Sequence, residues 1–150
     1  DLTVWECFNI YNNPIWAKQL IPPFSKQKET ITDDVGSRCI LKKGVYKYIN
    51  WLHNNNNTIG FCSVGSYKNL ALENQPSIIL LKKFNLYKMF NGPKVLEYKT
   101  FEKHKFLETI SEDSIFFDDN EKFLKLVSKL NNFTVFDAKK INNWENLIQN

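Results

Sequence analysis

The chain has 150 residues, of which 43% are hydrophobic and 15% aromatic, which is sufficient for one domain with one hydrophobic core. Its net charge of +4 suits an anionic substrate, but the charge is too small for a nucleic-acid-binding surface. No run of hydrophobic residues is long enough to cross a bilayer, so we expect no membrane partner.

The first third of the chain contains turn and loop signals. Residues 12–28 are expected to form a loop, because Pro14 and the Pro22-Pro23 pair prevent a regular helix. Residues 30–41 have the pattern of a short hairpin that turns near Gly36.

The rest of the chain alternates between amphipathic segments and short apolar runs. Apolar residues at helical spacing predict helices, whereas short continuous apolar runs predict buried strands. The predicted helices cover residues 43–53, 68–84 with a break near Pro76, 101–110, 121–130 and 144–148. The predicted strands cover residues 58–62, part of 88–96, 114–117 and 133–136. This alternation predicts an α/β domain with a doubly wound, mostly parallel sheet.

Polar residues directly follow two of the apolar runs. Ser63 follows residues 59–62, and the pair Asp118-Asp119 follows residues 115–117. Ligands of parallel sheets bind at the carboxyl ends of the strands, so these are candidate site residues. Each residue type also has a common structural role: aspartate caps helices, serine occupies turns, and lysine is usually solvated.

Together with Asp1 and Lys94, these candidate residues supply an acid, a hydroxyl donor, a cation and a metal-binding carboxylate. Phosphoryl transfer needs this combination, because its catalysis consists mainly of positioning and of neutralising charge on the phosphoryl oxygens.

The order and context of these residues resemble the magnesium-dependent phosphatase-1 family, a branch of the haloacid dehalogenase (HAD) superfamily related to the CTD-type phosphatases. The segments that carry the resemblance are Thr3-Val4-Trp5 after an acid, Pro22-Pro23-Phe24, residues 30–41, Phe61-Cys62-Ser63, Gly92-Pro93-Lys94-Val95 and Phe116-Phe117-Asp118-Asp119-Asn120. They are colinear with that family over nearly the whole chain.

The resemblance implies one HAD-like, Rossmann-like domain over residues 1–150, in which residues 12–41 form a minimal cap. It also implies a Mg²⁺-dependent phosphomonoester hydrolase that works through an aspartyl-phosphate. The implied substrates are phosphotyrosine or other phosphoprotein side chains, or small sugar phosphates.

The roles within the first motif follow from the family pattern Asp-x-Asp-x-Thr. Thr3 fits the threonine, so Asp1 takes the place of the second aspartate, the general acid and base, whose backbone carbonyl also reaches the metal. The nucleophilic aspartate and the first strand are then expected upstream of residue 1. In the alternative register Asp1 is itself the nucleophile.

The remaining roles are also implied by the resemblance. Ser63 matches the hydroxyl that hydrogen-bonds the phosphoryl group, and Lys94 matches the cation, with Lys99 as its rival. Asp118 matches the direct magnesium ligand, and Asp119 acts through water or orients its neighbours. Family members often carry an arginine after the serine, whereas this chain has Val64.

The three cysteines, Cys7, Cys39 and Cys62, are widely spaced and contain no C-x-x-C pair. We therefore expect neither a zinc site nor a disulfide framework, and we predict that the cysteines only pack in the interior. Such cysteine usage is typical of a reducing, cytoplasmic location.

Two other classes of function remain open at this stage. A HAD-like domain that has lost catalysis could serve as a binding module. A receiver-like phospho-acceptor domain uses similar residues, but it places its acidic pair first, whereas here the pair follows Lys94. The oligomeric state is not predicted.

Overall fold

The computed structural model describes residues 3–64, 67–97 and 102–149. The strands are β1 (Trp5–Phe8), β2 (Pro14–Ile15), β3 (Ser25–Gln27), β4 (Thr30–Thr32), β5 (Arg38–Leu41), β6 (Phe61–Val64), β7 (Lys94–Glu97), β8 (Ser114–Asp118) and β9 (Phe133–Asp137). The α-helices are α1 (Val45–Asn54), α2 (Pro76–Lys83), α3 (Lys103–Leu107) and α4 (Glu121–Val127). Short 3₁₀ turns cover Ala17–Gln19, Leu72–Asn74, Tyr87–Met89, Ala138–Lys140 and Trp144–Leu147.

The first five strands form an antiparallel sheet in the order β2-β1-β5-β4-β3. Connections between β1 and β2 and between β3, β4 and β5 are short, and short connections can join only antiparallel neighbours. The predicted hairpin at residues 30–41 is confirmed as β4 and β5, with Gly36 at φ 89° in the turn. Residues 12–28, expected to be a loop, carry the strands β2 and β3.

A disulfide joins Cys7 to Cys39, which lie directly opposite each other on β1 and β5. Both side chains point into the interior, where they are 1% and 0% exposed. The expectation that all the cysteines only pack is therefore wrong for this pair. Two cysteines 32 residues apart in sequence reveal their pairing only through the register of the strands that carry them.

The later strands form two separate parallel pairs, β6 with β7 and β8 with β9. Each pair is connected through a helix, α2 in the first and α4 in the second, as a parallel connection requires. The predicted strand at 114–117 is confirmed as β8, and that at 133–136 as β9.

The predicted doubly wound parallel sheet is wrong. The structure instead combines a five-stranded antiparallel sheet with two small parallel pairs, and no ladder joins these three sheets among the described residues. Alternation of helices and apolar runs correctly indicates two strand–helix–strand units. It does not show whether separate units share one sheet, because backbone pairing is decided between distant segments.

The main core lies between the antiparallel sheet, α1, α2 and the parallel pairs. Helix α1 buries Val45, Tyr48 and Ile49 at helical spacing, which confirms the predicted helix at 43–53. Helix α2 begins at Pro76 instead of being broken there, since proline is tolerated in the first turn. Several residues of the 12–41 segment, among them Ala17 and Phe24, are buried in this same core.

A second, smaller cluster lies on the other face of β8, where Phe116 packs with Leu107 of α3 and Val127 of α4. Phe117, the next residue along the strand, contacts Trp144 in the main core, with 4.8 Å between ring centroids. Alternation along β8 thus directs Phe116 and Phe117 to hydrophobic clusters on opposite faces of the strand, while Ile115 is 54% exposed. Within the described residues, no helix has the length and apolar character needed to traverse a membrane.

Candidate active site

A cavity of about 260 Å³ is lined by residues of β6, β8, α3 and α4 and by the segment that follows β2. Its lining residues include Ser63, Asp118 and Asp119, three of the residues singled out from the sequence. The structure thus brings the end of β6 and the end of β8 to one concavity. The remaining lining residues are Trp16, Lys18, Val64, Lys103, Asn120 and Phe123.

Asp118 is the last residue of β8 and is only 2% exposed. Alternation along the strand puts it on the same face as Phe116, towards α3 and α4. Its Oδ2 accepts a hydrogen bond from Lys103 Nζ at 2.6 Å, and its Oδ1 accepts one from the backbone N–H of Asn120 at 2.8 Å. Both carboxylate oxygens are therefore engaged.

Lys103, the first residue of α3, is a buried cation of this site and was not predicted from the sequence. Its side chain is buried against the ring of Phe123, with Nζ 4.8 Å from the ring centroid. A lysine is usually solvated, so one among several lysines gives little indication of a site. The usable signal is its position four residues before Leu107, on the apolar face of the helix.

Asp119 is half-buried, and its Oδ1 accepts a hydrogen bond of 3.3 Å from the Thr3 hydroxyl. Thr3 belongs to the predicted motif Asp-x-Asp-x-Thr, and it is the residue of that motif that the structure describes. Burial lowers the pKa of Lys42, while the carboxylates of Glu6, Asp119 and Asp137 act in the opposite direction. A second cation thus lies within electrostatic reach of Asp119.

Ser63 is half-buried, and its hydroxyl donates a long hydrogen bond of 3.4 Å to the carbonyl oxygen of Val64. The neighbouring Cys62 packs against the second cluster, and burial raises the pKa of its thiol to about 11. A thiol with such a pKa stays protonated at neutral pH, so Cys62 is a poor nucleophile.

Lys94 is not brought to the cavity. It is the first residue of β7 and pairs in register with Phe61, so it lies three residues, about 10 Å, before the carboxyl end of the strand. Its Nζ lies 5.7 Å from the centroid of the Tyr87 ring. Asp1 and the rival Lys99 lie outside the described residues.

The rim of the cavity contains Trp16, Lys18 and Phe123, which the sequence analysis missed. Trp16 is 51% exposed, although its backbone N–H donates to Gln19 Oε1 at 2.8 Å and the adjacent Ala17 is fully buried. A large aromatic side chain is thereby presented at the cavity by an anchored segment.

Oxygen donors of the type that Mg²⁺ prefers line the cavity, although both oxygens of Asp118 already accept hydrogen bonds. Asp118 and Asp119 supply carboxylate oxygens, and Mg²⁺ is commonly held by one or two carboxylates together with water and substrate phosphates. No cluster of three or more His, Cys, Asp and Glu side chains suited to a metal occurs in the described part of the chain.

Comparison with protein-family models gives no match to this chain, and comparison with curated proteins gives none either. The likeness to the magnesium-dependent phosphatase-1 family thus stands on the residues of the sequence alone.

Proposed function

We propose that this chain is a Mg²⁺-dependent phosphomonoester hydrolase that works through an aspartyl-phosphate. The observation that carries the proposal is the convergence of a carboxylate pair, a hydroxyl and a buried ammonium on one cavity: Asp118, Asp119, Ser63 and Lys103. Phosphoryl transfer requires these groups, because charge on the phosphoryl oxygens has to be offset and the phosphate has to be positioned.

Each residue has a defined task in this proposal. Asp118 and Asp119 hold Mg²⁺, which when bound offsets negative charge on the phosphoryl oxygens. Ser63 donates a hydrogen bond to one of those oxygens. Trp16 and Phe123 contact the leaving group at the rim, which suits an aryl phosphate such as phosphotyrosine.

We assign the nucleophile to the first motif. The assignment is supported by the hydrogen bond between Thr3, which belongs to that motif, and Asp119. A carboxylate of that motif attacks phosphorus, so one P–O bond forms while the bond to the leaving group breaks. Asp1 is proposed to protonate the leaving oxygen and then to take a proton from the water that hydrolyses the aspartyl-phosphate.

Asp118 is the carboxylate proposed to bind the metal directly. Asp118→Asn keeps the shape of the side chain but removes its charge, so hydrolysis of p-nitrophenyl phosphate should fall by roughly 100-fold or more. Chelation with EDTA should abolish the activity of the unaltered protein, and added Mg²⁺ should restore it.

The matched control is Asp137→Asn. Asp137 ends β9 in register with Asp118 but is not among the residues that line the cavity, and its side chain accepts a hydrogen bond from Lys139 N–H in the following turn. An asparagine can keep that hydrogen bond, so the control should retain nearly full activity. Activity that is indifferent to EDTA, or equally reduced in both variants, would contradict the proposed metal site.

One observation favours a second function, a phosphate-binding module without catalysis. Both oxygens of Asp118 already have protein partners, as in a purely structural ion pair. Such a module would bind inorganic phosphate in calorimetry but would hydrolyse no aryl phosphate in the presence of Mg²⁺.

A further inference from the structure

We propose that Lys18 makes the site selective for phosphotyrosine flanked by acidic side chains, because its ammonium pairs with a second negative charge beside the phosphoester. The inference rests on the proposed function and deepens it, since it names the class of substrate as an acidic phosphotyrosine peptide. Lys18 is then a residue that determines specificity and takes no part in the chemical step.

Lys18 is held at the cavity by an anchored turn. It lies in the 3₁₀ turn Ala17–Gln19, in which Ala17 is fully buried and the Gln19 side chain accepts a hydrogen bond from the backbone N–H of Trp16 at 2.8 Å. The side chains of Trp16 and Lys18 both line the cavity. The ammonium therefore comes from the same segment as the aromatic ring that is proposed to contact the leaving group.

The charge of Lys18 is available to a ligand. Within residues 3–64, 67–97 and 102–149, no carboxylate forms an ion pair with Lys18, which is half-buried. Lys103, which also lines the cavity, is instead bound to Asp118 at 2.6 Å. An anion that enters with the substrate can thus gain an ion pair with Lys18 without breaking one that already exists.

The neighbouring aromatic side chain favours a peptide as the source of that anion. Trp16 is 51% exposed and offers a face on which the ring of a phosphotyrosine can stack. When the phosphate lies in the cavity, the residues next to the phosphotyrosine lie at the rim, where a glutamate can reach the ammonium of Lys18. A sugar monophosphate carries neither the aromatic ring nor the second charge.

Binding of non-hydrolysable peptides tests the proposal without relying on catalysis. Two peptides carry phosphonomethyl-phenylalanine in place of phosphotyrosine and differ only in having glutamate or glutamine on both sides of it. In calorimetry with Mg²⁺, the unaltered full chain should bind the glutamate peptide roughly fivefold more tightly, the effect expected of one partly screened ion pair. In about 0.5 M salt the two affinities should become nearly equal, because salt screens the pair.

Charge variants assign the preference to one side chain. Lys18→Met should bind the two peptides equally, and Lys18→Glu should prefer the glutamine peptide. The matched control is Lys26→Met: Lys26 is exposed on β3 and is not among the residues that line the cavity, so this variant should keep the fivefold preference. Circular dichroism establishes that each variant is folded. Equal losses in Lys18→Met and Lys26→Met would overturn the assignment, because they would show an effect of net charge.

A small substrate could supply a second anion as well, so sugar phosphates form another arm of the experiment. A sugar monophosphate and the corresponding bisphosphate are compared as competitors of the glutamate peptide. Weak competition by both supports the peptide as the substrate class. A bisphosphate that competes strongly, together with equal binding of the two peptides, overturns it.

The outcomes separate this inference from the proposed function. Equal affinity of the unaltered protein for the two peptides, or an undiminished preference in folded Lys18→Met, overturns the role of Lys18 and leaves the hydrolase proposal intact. A preference that depends on Lys18, without hydrolysis of p-nitrophenyl phosphate, overturns the hydrolase proposal and leaves the role of Lys18 intact. Failure to bind either peptide overturns the inference.

Discussion

Asp118 and Asp137 occupy equivalent positions at the ends of paired strands, yet their surroundings give them different tasks. Asp118 is 2% exposed and forms an ion pair with Lys103. Asp137 is half-buried and accepts a hydrogen bond of 3.0 Å from the backbone N–H of Lys139. The residue type and the strand-end position are shared, so the difference arises from α3, which packs beside only one of them.

Cys62 is expected to be a slowly reacting thiol. Burial raises its pKa to about 11; the nearby Lys103 lowers the pKa and Asp118 raises it by smaller amounts. The rate of alkylation by iodoacetamide, followed by mass spectrometry, should therefore approach its half-maximal value only near pH 11. Half-maximal alkylation near pH 8 would contradict the buried placement of this thiol.

The raised pKa of the Cys62 thiol also makes the free energy of unfolding depend on pH. The thiol binds its proton more tightly in the folded chain than in the unfolded chain, where its pKa is near 9. The contribution of Cys62 to the free energy of unfolding is therefore complete below about pH 9 and is lost as the pH rises through about 11. The variant Cys62→Ser should not show the decrease in the free energy of unfolding that ionisation of this thiol causes at alkaline pH.

The turn between β4 and β5 is organised by one buried carboxylate. Asp33 is 7% exposed, and its Oδ1 accepts hydrogen bonds from the backbone N–H groups of Val35 and Ser37. Its Oδ2 accepts one from the N–H of Ile21 at 2.9 Å, which ties the hairpin to the segment before β3. This element thus depends on a side chain and not only on the glycine of the turn.

Asp33→Ala should lower the free energy of unfolding by about 2–3 kcal/mol, since it leaves buried N–H groups without their charged acceptor. Asp33→Asn should lose less, because its amide oxygen can still accept. The control is Asp34→Ala at the exposed neighbouring position, with an expected change within about 0.5 kcal/mol. Urea unfolding measures all three, and similar losses at residues 33 and 34 would refute the assigned role.

One hydrophobic core contains residues of the antiparallel sheet and of both parallel strand pairs. Phe117 of β8 contacts Tyr48 of α1 edge-on at 5.9 Å, and Phe61 of β6 contacts Phe90 in the same manner at 5.7 Å. The disulfide Cys7–Cys39 lies in this core between two neighbouring strands of the antiparallel sheet. The N-terminal sheet therefore shares its interior with the strands that carry the candidate site.

Reduction of the disulfide should lower the free energy of unfolding by about 3–4 kcal/mol, the amount that the chain-entropy argument gives for a loop of this length. Urea unfolding with and without a reductant measures the change. The double variant Cys7→Ala/Cys39→Ala should be insensitive to the reductant, whereas Cys62→Ala should remain sensitive. Three free thiols in the unfolded, unreduced protein would show that the bond does not form.

Local signals in the sequence were sufficient to locate several secondary-structure elements. Helical spacing of apolar residues located α1, short apolar runs located β8 and β9, and Gly36 located the hairpin turn. Each depends on neighbours within a few residues, because backbone dihedral preferences and side-chain periodicity act over that distance. The polar residues near the ends of β6 and β8, Ser63 and Asp118, were found for the same reason.

The tertiary structure was needed to show which strands pair, which cysteines bond and which lysines line the cavity. The parallel strands form two separate pairs, Cys7 is bonded to Cys39, and Lys103 lies against Asp118. Lys94, with the more suggestive sequence context, lies at the other end of its strand. These outcomes depend on register and burial between segments far apart in the chain, and the free energies of such contacts are not encoded in any local pattern.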